Sequence, residues 1–141
     1  MWFGIGLFVF LALLIVGMAG NIRYFIDPFG FVMVLLPSVM FGMAIATPGG
    51  FLRAMALPFR RTAELAEAAQ AMVVWGVFGQ LCMAMGILGF LVGAVLLLQN
   101  ASQPSELGPA LGVAALTMFY GALLQLISLA ARRLLQRISE G

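Results

Sequence analysis

The sequence predicts an all-α membrane protein, a polytopic helical bundle of four transmembrane helices with one long helix projecting into the cytoplasm. Three observations predict it. Of the 141 residues, 64% are hydrophobic and only 9% charged, more apolar surface than a soluble domain of this size can hide in one core. The charges fall in a few clusters, at Arg23 and Asp27, from Arg53 to Glu67, at Glu106, and from Arg132 to Glu140. The apolar stretches between them are long enough to cross ~30 Å of hydrocarbon, which takes ~20 residues.

The first span is read from Trp2 to about Gly20. No basic residue precedes this run and it is too long for a signal-peptide core, so a retained helix is expected. Residues 21–28 (NIRYFIDP) form a short polar turn, with Tyr24 and Phe25 suited to headgroup depth. The second span, about 29–47, carries Pro37 near its middle, which removes a backbone donor and predicts a kink unless a neighbour satisfies the freed carbonyl. Thr47, Pro48, Gly49 and Gly50 end it. The segment 51–67 (FLRAMALPFRRTAELAE) alternates arginines with apolar residues and is expected to lie amphipathically on the membrane surface, broken near Pro58.

From Thr62 the pattern stays helical to Gln99. One helix of roughly 35 residues is ~55 Å long and exceeds the bilayer, so its Glu64, Glu67 and Gln70 end should project into the cytoplasm before the third span, about 72–98. A polar loop follows at 100–109 (NASQPSELGP), then a fourth span at about 110–131. Six of the seven basic residues, all arginines, lie between spans two and three or in the C-terminal tail. The positive-inside rule places both regions, and both termini, in the cytoplasm. The whole chain, 1–141, reads as one membrane domain.

The composition also excludes functions. With no histidine and a lone cysteine, Cys82, there is no Cys/His or Ser/His catalytic arrangement and no ready metal site. No catalytic residue and no cofactor are expected, and a soluble enzyme fails for want of a domain to house it. The arginines flank spans, so topology explains them better than nucleic acid does.

On the third span Gly79, Cys82, Gly86, Gly89 and Gly93 recur at steps of three and four. On the fourth, Ala110, Ala114, Thr117, Gly121 and Ser128 keep the same rhythm, with Leu124 in the one large place. Such seams let backbones approach closely in lipid. Packing within one subunit explains a glycine stripe by itself; two neighbouring seams beside bulkier first and second spans suggest that spans three and four form an inner layer. No ionisable residue lies inside any of the four spans as bounded here, so this chain alone offers no intramembrane proton carrier. The polar groups placed at depth are Gln80, Thr117, Tyr120, Gln125 and Ser128.

Several stretches resemble the MotA/TolQ/ExbB proton-channel family, and within it the flagellar-stator A subunits. YFIDPFGFVMVL (Tyr24 to Leu35) is similar to that family's first outer loop and second span. GILGFLVGAVLLLQNASQPSELGPALGVAALTMFYGALL (Gly86 to Leu124) is similar to its third and fourth spans, and ALTMFYG (Ala115 to Gly121) is the most specific match. The resemblance implies a bacterial inner-membrane protein forming a ring of five copies around a partner with a single span, whose aspartate carries a proton or sodium ion. It implies that Thr117 faces the ion pathway and Tyr120 braces the helix, with Gly79, Gly86, Gly89, Gly93, Ala114 and Gly121 packing the inner ring. Phe90 and Met118 stand where the family reads threonine, which makes that pathway drier. About twenty residues join spans two and three where stator A subunits hold a large rotor-engaging domain. The reading is therefore a minimal stator-like ring, with a non-conducting membrane scaffold of the same architecture as the alternative.

Overall fold

The computed structural model describes residues 26–59, 65–99 and 104–140. These form four helices and one short 3-10 turn: α1 (Pro28–Ala46), α2 (Pro48–Ala56), the turn Leu57–Phe59, α3 (Leu65–Gln99) and α4 (Pro104–Glu140). Three of them, α1, α3 and α4, are long and apolar enough to cross a membrane. The expected first span, 2–20, and the links at 60–64 and 100–103 lie outside the described residues.

α1 starts at a proline, whose fixed φ suits a first helical position, with Asp27 as its cap: the carboxylate Oδ1 accepts the Phe29 N–H at 3.2 Å. It runs as one α-helix through Pro37. The fully buried Ser38 next to it turns its hydroxyl inward and donates to the Val34 carbonyl at 2.7 Å. α1 is also more than a bulky lipid-facing helix. Gly30, Val34, Ser38 and Gly42 recur at every fourth position and form its buried stripe, while Phe29, Leu36, Met40 and Ile45 face outward.

Thr47 makes the corner between α1 and α2 with φ 62° and ψ 150°, a conformation that costs a β-branched residue about 1–3 kcal/mol. Its hydroxyl accepts the Gly50 N–H at 3.4 Å, and Phe51 packs its ring into the space that Gly42 leaves open. α2 is then clamped to α3, because the buried Trp75 indole donates to the Ala54 carbonyl at 3.0 Å and Phe78 meets both Phe51 and Trp75 edge-on. This cluster, with Leu57, Ala131 and Leu135, is the apolar core at one end of the bundle.

Two boundaries differ from the sequence reading. The polar stretch expected as a loop to 109 already belongs to α4, which begins at Pro104: the first N–H groups of a helix have no internal partner, so proline is tolerated there. At the other end the tail carrying Arg132, Arg133 and Arg137 continues the same helix to Glu140. Consequently two helices outreach the bilayer, not one. α3, with 35 residues, and α4, with 37, are each about 52–56 Å long.

α3 and α4 pack antiparallel along their small-residue faces. Gly79 meets Gln125 and Ser128, Gly86 meets Thr117 and Gly121, Gly89 meets Thr117, and Gly93 meets Ala114, so positions rise along one helix as they fall along the other. α1 lies across this pair, with Gly30 against Thr117.

Candidate functional site

The narrowest point of the bundle is the crossing of α3 and α4. A β-carbon on Gly121 would lie 2.6 Å from the Cys82 carbonyl oxygen and 3.0 Å from the Gly86 Cα, and one on Gly86 would lie 2.9 Å from the Thr117 carbonyl oxygen. The obstacles are backbone atoms, which cannot swing aside, so hydrogen is the only substituent either position accepts at this separation.

Just beyond the crossing, three helices converge on Thr117. The residue is 7% exposed, and its hydroxyl donates to the Ala114 carbonyl at 2.7 Å, with the Gly86 carbonyl of the facing helix 3.4 Å away. β-carbons on Gly89 of α3 and Gly30 of α1 would each come within 3.1 Å of its side chain. One turn along α4, the Tyr120 hydroxyl accepts the Asp27 backbone N–H at 2.8 Å, and its ring takes Phe31 edge-on at 5.6 Å. Tyr120 thereby ties α4 to the first turn of α1.

Above this junction the walls part. A groove of about 470 Å3 opens between the far halves of α3 and α4, walled by Gly93, Leu97, Ala110 and Ala114 among others and floored by Gly30 and Met33. Among the described residues its polar side chains are those of Asp27 and Thr117. From Gly89, level with this floor, α3 stays apolar to Leu98, about 13 Å further on. Asp27, which the sequence places in an outer loop, lines this groove from the cap of α1.

The sequence-derived residues divide accordingly. Thr117 and Tyr120 are brought together at the junction, with Thr117 lining the groove. Phe90, half-buried, and Met118, 40% exposed, do not line it. Gly79, Gly86, Gly89, Gly93, Ala114 and Gly121 all lie on the contact between α3 and α4 of one chain. Asp27 was missed as a site residue, although its place directly before Pro28 and an apolar run marks it as a helix cap. Gln125 is half-buried, and its Oε1 lies beside Gly79 with no hydrogen-bond partner among the described residues. Among the described residues no cluster of ligating side chains could hold a metal ion.

Long apolar helices meeting at a polar junction below an open groove define a multi-span helical membrane protein. No family model matches the chain. It is 49% identical over 51 residues to chemotaxis protein PomA of Vibrio alginolyticus, covering 36% of this chain and 20% of that protein. To motility protein A of Cereibacter sphaeroides it is 56% identical over 41 residues, covering 29% and 16%, and to motility protein A of Aquifex aeolicus 38% identical over 71 residues, covering 46% and 28%. These identities show a relationship to the motility protein A type of membrane protein, and the matched stretches span less than a third of each relative.

Proposed function

We propose that the chain is an A-type subunit of an ion-driven, stator-like motor or channel complex in the bacterial inner membrane. In this reading four spans, with both termini cytoplasmic, form each subunit, and about five copies surround a partner that crosses once and carries an aspartate. One observation carries it. ALTMFYG, the stretch that most specifically resembles stator A subunits, builds the junction at which α1, α3 and α4 meet, and the groove opens directly over it. An apolar helix of the partner would lie in that groove, with its acid near Thr117, whose hydroxyl hydrogen is held by Ala114 and whose oxygen lone pairs are left to a cation or a protonated acid. Asp27 adds a carboxylate of this chain to the same groove.

The scaffold reading also has an observation in its favour, since among the described residues the groove is apolar apart from Asp27 and Thr117. Ion flux separates the two. The chain is co-reconstituted into vesicles with a single-span, aspartate-bearing partner, and proton and sodium gradients are imposed in turn. Flux that requires both proteins and falls at least tenfold in Thr117→Val supports the motor. Flux equal to that of protein-free vesicles, from a complex shown to be assembled, refutes conduction and leaves the scaffold.

A further inference from the structure

The end of the bundle opposite the groove has its own chemistry. It carries Arg53 on α2 and Arg132, Arg133 and Arg137 on α4, and among residues whose side chains are described none of these pairs with a carboxylate; Arg133 donates to Gln136 Oε1 at 3.3 Å.

The geometry at Arg132 is built rather than incidental. Gly76 has no side chain, and the Arg132 guanidinium lies in the space so left, its Cζ, Nη1 and Nε 3.2–3.3 Å from where a β-carbon would stand. The half-buried side chain is thus laid across α3, immediately past the apolar run that ends at Ala131. The preceding residue of α3, Trp75, fixes α2 through Ala54. On the outward side of that segment Leu52 is 61% and Phe59 85% exposed, with exposed Arg53 between them in sequence. Large apolar side chains beside arginines, at the level where an apolar run ends, match the two layers of a bilayer surface, acyl chains and phosphate.

We propose that this end is a binding site for the headgroup of an anionic phospholipid. Arg132, held over Gly76, presents its planar fork to the phosphate, Arg53 and Arg133 add charge, and Leu52 and Phe59 enter the acyl region. A bilayer lipid is preferred to a free phosphate because the apolar side chains accompany the cations. The inference rests on the membrane-spanning fold and stands or falls separately from the motor.

The test is native mass spectrometry of the full chain released from nanodiscs of phosphatidylcholine, with and without phosphatidylglycerol. The chain is expected to retain phosphatidylglycerol in preference to phosphatidylcholine. Arg132→Gln should cut that preference about fivefold, the effect of one arginine near a charged membrane surface. Arg132→Lys, which keeps the charge and loses the fork, should give an intermediate value, and Arg137→Gln, more than a turn further from the apolar run, a smaller loss. Each variant is checked for unchanged helicity by circular dichroism. Equal retention of the two lipids, or a preference untouched by Arg132→Gln, overturns the proposal. Binding of an acidic peptide through Arg132 in phosphatidylcholine nanodiscs, with no enrichment of phosphatidylglycerol, would make the face a protein-docking surface and equally refute the lipid.

Discussion

Gly121→Ala adds one methyl group where the backbones of α3 and α4 approach most closely. Its new carbon would stand 2.6 Å from the Cys82 carbonyl oxygen and 3.0 Å from the Gly86 Cα, against an ordinary contact of 3.4 Å or more. Because both obstacles are backbone, relief requires α3 and α4 to separate by several tenths of an ångström along a seam that also seats Gly79, Gly89 and Gly93. Overpacking of this kind costs about 1–3 kcal/mol. Alanine is the better helix former, so local propensity works in the opposite direction and cannot be the source of a loss. Gly112→Ala on the same helix is the matched control, since a β-carbon there meets nothing within 4 Å. Cys82 is the natural reporter: it is the lone cysteine, fully buried, and its own carbonyl is the atom struck. If labelling requires local opening of the seam, 1–3 kcal/mol raises the rate of reaction with a membrane-permeant maleimide by roughly 5- to 150-fold. Gly112→Ala should leave it unchanged. A Gly121→Ala protein whose Cys82 labels at the wild-type rate would refute the close crossing.

Three further outcomes are expected. Tyr120→Phe leaves the Asp27 N–H without its acceptor while retaining the ring contact with Phe31; a loss of about 1–3 kcal/mol should appear as faster amide exchange confined to the first turns of α1. Trp75→Phe removes the indole donor to Ala54 and should release α2, read as increased proteolysis between 47 and 60 with α3 and α4 still protected. Gly89→Leu drives a large side chain into Thr117 and should disrupt the proposed ring; recovery of the same assembly from this variant as from the wild type would count against the seam.

Much of this was legible because transmembrane packing writes itself as small residues at helical spacing. Gly79, Gly86, Gly89 and Gly93 on one span and Ala114, Thr117 and Gly121 on the next are the residues that interlock. The stripe of α1 was hidden: Val34 stands between Gly30 and Ser38, and the many Phe, Met and Leu around them dominate the segment, so which face is buried emerges only when α1 lies on its neighbours. The start of α4 was obscured for a different reason. Two prolines, a serine and a glutamate read as a loop, yet proline and polar residues are what a helix N-terminus tolerates best. Asp27 could be recognised as a cap from its position, but its presence in the groove depends on α1 beginning partway along α3 and α4, a tertiary relation that no local pattern encodes. Conversely, Tyr120 was legible as a polar group within an apolar span, its bracing role came from the family resemblance, and the structure supplies its physical task, an acceptor for the Asp27 N–H.

The central claim, that this chain is the A-type subunit of a stator-like complex, is tested most directly by the native mass of the membrane-extracted assembly, expressed alone and with an aspartate-bearing single-span partner. A ring of about five copies that takes up about two copies of the partner is expected. A monomer or dimer that takes up none would contradict it.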